Sequence, residues 1–557
     1  MKIDIRKEVT FRYLLQIKKF LRSNPITISS NKPCYQSLIN ILFEISSMND
    51  SFESNIKYEK QYTKLHEAME KVAKYELKKE NREYTCELDA LFIQFFENDS
   101  HAHDFIAKQL LGITATHNKE KIKAKLAENT TNPNKKTHVK HPDNPANAFF
   151  SSMLGYKYHP LKRNNVPYVA FDETQLQQNA KCLRIGAQTQ KSSTVNPAFE
   201  RYLLANARRD SQKILNVDLA ENEDFEYVYI NLMKRDQKSQ DSKKSGLSKK
   251  IDKFVRHSEG NRASALEALN QKEDLKTAVI TLPADNEFLM QTFKMSKGSA
   301  LNLDKNCSLS GLLAQIKQSI QDDRNDFYFS AKVKKILFGD KCNNGIIEKL
   351  FASAATDIVK DFDKNKMNAT FVGDEERNAL LFHFIKDKLT NHILNTLKPK
   401  AYNFTCKDAI DRGAIHTLWY HFNLFYEKGM PMSESEFLKY LDAPALIVKY
   451  RPLNHNRNLI WNALKHRVES DENFRKSHPW AIAWLNSNVP ADQSPVSLKD
   501  DSLAFTMKKE TGLDLKLQRN LLFALKKNQP FSFKGVKKSI AIGVQALHQQ
   551  QQTVRCC

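Results

Sequence analysis

Asn403-Phe404-Thr405-Cys406-Lys407-Asp408-Ala409-Ile410-Asp411-Arg412-Gly413 is the stretch that decides how this chain is read. Tyr402 and Phe404 mark Ala401 to Thr405 as a short strand. After Gly413, apolar side chains fall at Ile415, Leu418, Trp419, Phe422 and Phe425, a helical spacing that should stop near Gly429, with Pro431 just beyond. Between strand and helix lies a tight loop bracketed by Cys406 and Arg412. Such a loop turns several main-chain N–H groups inward, and with the helix N-terminus they form an anion-binding nest. The same field favours the thiolate form of a cysteine at the loop's start. An arginine at its end can fork two N–H groups onto phosphate oxygens, which lysine cannot copy. The chemistry expected is in-line attack by Cys406 to give a cysteinyl-phosphate, with an acid protonating the leaving alcohol and water cleaving the intermediate. Asp411 is the nearest candidate acid. Lys407, Asp408, Ala409, Ile410 and Gly413 complete the loop and are expected to bind the substrate phosphate. The competing reading is a buried cysteine in an ordinary strand–helix turn beside two solvated aspartates.

At these residues the chain resembles the phosphoinositide phosphatases with cysteine and arginine six positions apart. Myotubularin and Sac-type lipid phosphatases carry Asp two after the cysteine, an apolar residue four after it and Asp before the arginine; Asp408, Ile410 and Asp411 match. The opening Cys406-Lys407 is similar to the bacterial effector inositol phosphatases. The tyrosine-phosphatase form, with His before the cysteine and Gly three after it, is matched poorly by Thr405 and Ala409. Over residues 146–480 the chain resembles the SidF/SidP type of secreted effector phosphoinositide 3-phosphatase made by intracellular bacteria. The supporting stretches are Cys182-Leu183-Arg184-Ile185-Gly186, Tyr229-Ile230-Asn231-Leu232 and Val279-Ile280-Thr281-Leu282-Pro283-Ala284-Asp285.

The resemblance implies a hydrolase that removes the 3-phosphate of phosphatidylinositol 3-phosphate or its 3,5-bisphosphate and needs no cofactor or metal. It also implies a virulence effector, exported by type IV secretion, that works in the host cytoplasm on membranes. A multiply phosphorylated ring needs cations beyond the loop; Lys407 is the first candidate and Arg184 the second. Asp285 follows a Pro-Ala turn, echoes the movable acid loop of tyrosine phosphatases and is the alternative general acid. One departure stands out: most of these enzymes place Thr or Ser after the arginine, where this chain has Gly413.

Composition narrows the partners. The 557 residues carry 86 Lys and Arg against 64 Asp and Glu, a net charge of +22, so an acidic partner is expected: a membrane surface, an inositol phosphate or nucleic acid. No RNA-binding fingerprint is present, so phosphoinositide lipids and the anionic membrane surface are preferred over nucleic acid. The eight cysteines are scattered without Cys-x2-Cys pairing, against a zinc ribbon or a disulfide framework and for a reducing compartment. His101-Ala102-His103-Asp104 reads as surface rather than metal site. Charges interrupt residues 1–24, so no secretory signal is expected, and no apolar run reaches the length of a membrane span. Two other functions compete with a lipid phosphatase: a non-catalytic basic adaptor for acidic membranes or RNA, and a phosphoprotein phosphatase.

The expected fold is a helix-rich α/β (α+β) protein, a mixed sheet flanked by helices with the phosphatase loop at its centre, plus helical N- and C-terminal regions. Strands are expected at 225–232, 277–282 and 326–330, and helices at 199–208, 309–320, 346–358, 376–394 and 458–468. Residues 1–120 read as a helical N-terminal region, 121–147 as a polar linker, 148–488 as the catalytic domain and 489–557 as a basic helical C-terminal region suited to membrane targeting. The polar stretch from Lys234 to Arg262 is either a solvated excursion or a basic arm over the active site. The chain ends Arg555-Cys556-Cys557, and Cys556 and Cys557 are candidate lipidation sites.

Overall fold

Ala401–Thr405 (β7) forms a strand buried along its whole length, and the rest of the sheet is built around it in the computed structural model. The structure describes residues 5–26, 32–99, 160–209, 225–235, 259–283, 308–363 and 373–490, apart from short gaps within these stretches, together with a few isolated positions. The strands are β1 (Tyr168–Asp172), β2 (Lys181–Arg184), β5 (Tyr227–Asn231), β6 (Thr277–Thr281) and β7, with β3 (Thr189–Gln190) and β4 (Thr194–Val195) making a separate two-stranded ribbon. The five-stranded sheet has the order β1-β2-β7-β5-β6. β2, β7, β5 and β6 run parallel, and β1 closes one edge antiparallel to β2. β7 is therefore central, and Cys406 follows its C-terminal end, the end where ligands bind in such sheets. Helix dominates the rest, so the helix-rich mixed α/β class expected from the sequence is the one observed.

Side chains alternate across β7 and find different partners on the two faces. Tyr402 and Phe404 meet α11 (Arg412–Glu427): Phe404 stacks on His416 at 4.3 Å, and Tyr402 lies edge-on to Tyr420 at 6.2 Å. The opposite face, with Ala401, Tyr227, Tyr229 and Val279, packs under α5 (Pro197–Ala207) and the N-terminal helices α1 (Ile5–Ser23), α2 (Pro33–Ser46), α3 (Tyr58–Glu76) and α4 (Cys86–Phe96). These four helices share one core with the sheet, inside a single unit, Met1–Pro495. The expected regions 1–120 and 148–488 thus belong to one body. The residues expected as their linker lie almost wholly outside the described set. The chain divides at Pro495, close to the boundary expected at 489, and Val496–Cys557 form a second unit of which only Val496 is described. The expected C-terminal helices and Cys556 and Cys557 fall outside the described residues. Among the described residues no helix is long and apolar enough to cross a membrane.

Charge as well as apolar contact fastens the N-terminal helices to the sheet. Arg201 on α5 is 0 % exposed and ion-pairs with Glu76 of α3 and Asp89 of α4, both of them buried too. Removing the guanidinium leaves two carboxylates desolvated and short of a counter-charge. Arg201→Ala is expected to cost about 3–5 kcal/mol, read as a lowered urea midpoint with an unchanged slope.

The remaining helices are α6 (Leu309–Gln321), α7 (Ala331–Phe338), α8 (Asn344–Ile358), α9 (Asp374–His383), α10 (Thr390–Leu397), α12 (Glu434–Lys449), α13 (Arg457–Ser470), α14 (Glu472–Ser477) and α15 (Trp480–Ser487). A π-helical turn, Phe384–Leu389, joins α9 to α10 in one continuous rod. The strand expected at 326–330 is reduced to a bridge between Thr281 and Tyr328, because Ser330 turns away to cap α7, its Oγ accepting from the Val333 N–H.

Candidate active site

The loop is held from below by polar groups at the end of β7. Asn403 and Thr405 are fully buried on one face of the strand. Tyr227 Oη donates to Asn403 Oδ1 at 2.7 Å, Asn403 donates on to Thr405, and Thr405 Oγ1 donates to the Ile185 carbonyl at 3.0 Å. Thr405, at the position of the tyrosine-phosphatase histidine, thus ties the loop's root to the 182–186 segment. Arg184 in that segment is buried and spends its guanidinium on main chain: Nη2 donates to the Asp408 carbonyl at 2.9 Å and Nη1 to the Val166 carbonyl at 3.4 Å. The Ala187 N–H donates to the Lys407 carbonyl at 3.0 Å. Arg184, expected as a second cation for the substrate, lies against the loop, and its bonds make it a brace of the loop. With two carbonyls of the loop drawn outward in this way, N–H groups are left to point elsewhere.

Among the described residues, the main-chain N–H groups of Ala409, Ile410 and Gly413 have no hydrogen-bond acceptor. All three residues are buried, a place where such donors are normally satisfied. Ala409 has φ +54°, a left-handed conformation that a non-glycine residue holds only under constraint. The Ile410 side chain is packed with Ala445 and Val448, so it anchors the loop on α12 and offers an anion only its N–H.

Gly413 sits where α11 leaves the loop. A Cβ at this position would stand 2.8 Å from the Phe404 carbonyl oxygen and 3.4 Å from the Ala409 Cβ. The missing hydroxyl therefore has a steric cause: the helix starts too close to the end of β7 for any side chain. Gly413→Thr is expected to lower stability by about 1–3 kcal/mol through overpacking. Thermal melts would read this as a loss, with no gain in turnover.

Cys406 is 4 % exposed and lies at the loop's entrance. Arg412, six residues on, directs Nη2 to Glu259 Oε1 at 2.7 Å, and Nη1 to Glu259 Oε2 at 3.4 Å and to the Leu232 carbonyl at 3.2 Å. A two-point carboxylate contact of this kind fixes the plane of the guanidinium. Leu232 immediately follows β5, and Glu259 lies in a helix described over 259–267, near the close of the stretch expected to be either a solvated excursion or a basic arm over the site. That stretch does bring a residue to the site, and it is an acid. Asp411 precedes α11, its carbonyl accepting from the Ile415 N–H at 3.2 Å, and Lys407, Asp408 and Asp411 are half-buried around the loop. Asp285 lies outside the described residues.

One further residue escapes any reading of the sequence. Lys386, on the π-helical turn, is buried, and its charge acts on both Arg412 and Cys406. Burial chiefly, and then the Arg412 charge, push its amine down to about 7, against an opposing pull from Cys406. Its signal would have been a lysine directly after the apolar pair Phe384-Ile385, on a segment that is apolar from Ala379 to Phe382. Elsewhere, Asp357, His383 and Asp387 have the mutual spacing of metal ligands. Lys388 pairs with both carboxylates, at 3.0 Å and 3.3 Å, and Arg467 with Asp357, so the cluster is an ionic network carrying its own counter-charges.

No family model, curated protein or solved structure matches this chain.

Proposed function

We propose that this protein is a cysteine-dependent phosphoinositide phosphatase. In this reading it removes the 3-phosphate of phosphatidylinositol 3-phosphate or its 3,5-bisphosphate, acting as a secreted bacterial effector at the cytosolic face of host membranes. One observation carries it above the others: Cys406 and Arg412 stand at the two ends of a buried loop whose Ala409, Ile410 and Gly413 N–H groups lack acceptors, beyond the C-terminal end of the central parallel strand. A buried set of such donors at a helix N-terminus suits a tetrahedral dianion. The net charge of +22 suits an anionic membrane surface. The choice of the 3-position rests on the family resemblance alone.

In the reaction the Cys406 thiolate attacks phosphorus in line, and the bond from phosphorus to the inositol oxygen breaks. Asp411, or Asp285 in its place, gives that oxygen a proton. Water then attacks the cysteinyl-phosphate, releasing inorganic phosphate and restoring the thiolate. Arg412 binds two non-bridging oxygens throughout, with the loop N–H groups stabilising charge as it builds on the phosphoryl group. The test is phosphate release from each phosphoinositide in vesicles. The reading expects release from phosphatidylinositol 3-phosphate and the 3,5-bisphosphate; release from phosphotyrosine peptides alone, or from nothing, would sink it.

A further inference from the structure

Arg184 carries a charge that its bonds leave unanswered. It is 6 % exposed, and its two hydrogen bonds both go to main-chain carbonyls, those of Asp408 and Val166. A guanidinium has five N–H donors to satisfy. Here Nε is buried without a hydrogen-bond partner, and among the described residues no carboxylate pairs with Arg184. Its Cζ lies 5.5 Å from the centroid of the Tyr168 ring. Carbonyls and a ring face offset part of the cost of burying a cation, and an anion would offset more.

The same side chain lines a cleft of about 520 Å³, its open mouth included. Tyr168 and Ala170 of β1 and Phe404 of β7 form the wall on the sheet side, and Ala443, Pro444 and Ile447 the wall on α12. Alanine at 170 and 443 leaves open a space that larger side chains would close. A mainly apolar lining with a few polar groups is usual for a small-molecule site of this size. Two other charged side chains line the cleft, Asp104 and Lys439, and they pair with each other. Among the described residues the lining charges therefore sum to a single positive one, that of Arg184.

We propose that this cleft is a binding site for a medium-chain fatty acid, its carboxylate on Arg184 and its hydrocarbon chain between the sheet and α12. A carboxylate matches the fork of a guanidinium and carries the one negative charge that the lining lacks. A phosphate dianion would leave one charge over in an apolar cleft. The alkyl and aromatic walls supply the burial that a hydrocarbon chain needs. The site lies outside the proposed reaction, and its test needs no turnover.

Calorimetric titration of the full chain with decanoate, below its micellar range, should show one binding site. Decanol has the same chain without the charge and should bind about tenfold more weakly or worse, the scale of one charge-assisted hydrogen bond. Decyltrimethylammonium, with the charge reversed, should not compete. The place is read separately. A decanoate analogue carrying a diazirine on its chain should, on irradiation, label the peptides that hold Tyr168–Asp172 or Glu434–Lys449, and excess decanoate should suppress the label. Ala443→Leu puts a larger alkyl group into the cleft and should weaken decanoate by about tenfold or more while melting close to the wild-type temperature. If that variant fails to fold, the labelled peptides and the decanol comparison decide. Equal affinity for decanoate and decanol, label confined to other peptides, or a folded Ala443→Leu that binds decanoate as the wild type does would each overturn the proposal.

Discussion

Cys406→Ser will lower phosphate release by about a thousandfold or more, on the scale seen when a nucleophile is removed from a cooperating site. The replacement is nearly isosteric and its hydroxyl can take the same position. What it cannot do is ionise near neutral pH, so the nucleophile of the proposed reaction is lost. Folding should be preserved, because among the described residues the loop is braced by Arg184, Ala187 and Thr405 and not by Cys406. Lipid binding should persist for the same reason, and vesicle flotation with phosphatidylinositol 3-phosphate checks it. A serine variant that keeps a tenth of wild-type activity would remove Cys406 from the reaction.

Arg412→Lys should be nearly as damaging, with a loss of roughly a hundredfold to a thousandfold in kcat/KM. Lysine keeps the charge and loses the fork. Two planar N–H groups, oriented by Glu259 and the Leu232 carbonyl, become one rotating ammonium that cannot grip two phosphate oxygens at once. The effect on stability should be small, since Glu259 is partly exposed and such pairs contribute little. Steady-state kinetics beside a denaturant titration separates the two. A lysine variant with normal kcat/KM would mean that the residue serves only as an ionic tether between α11 and residue 259.

Much of the fold was legible in the sequence, for identifiable reasons. β5 and β6 are runs of aromatic and β-branched residues stopped by polar or proline residues, and they appear within a residue or two of the expected bounds. β7, the loop and α11 are bounded by changes of period and by Gly429, which takes φ +72° at the helix end. β2 was missed as a strand because it is four residues long with a charge at each end; β1, Tyr-Val-Ala-Phe-Asp, has a strand's composition and was overlooked. Lys181 and Arg184 look like surface residues, and only the fold shows that one charge answers Glu97 and the other the loop's own carbonyl. α12 was missed as well; Pro444 inside it reads as a breaker, and the helix tolerates it.

The candidate site divides in the same way. Contiguous loop residues could be read from spacing, since seven positions in sequence stay together in space. Glu259 and Lys386 could not. Glu259 closes a stretch of low complexity whose composition signals solvent, and its partner lies 153 residues away. Lys386 lies on a π-helical turn that no apolar periodicity announces.

The measurement that bears most directly on Cys406 as nucleophile is acid quenching of the protein within its first turnover on phosphatidylinositol 3-phosphate, followed by mass spectrometry of the Cys406 peptide. Phosphate should be found on the Cys406 sulfur in the wild type and be absent from Cys406→Ser. Phosphate release by the wild type with no phosphocysteine at any quench time, and with undiminished release by the serine variant, would contradict it.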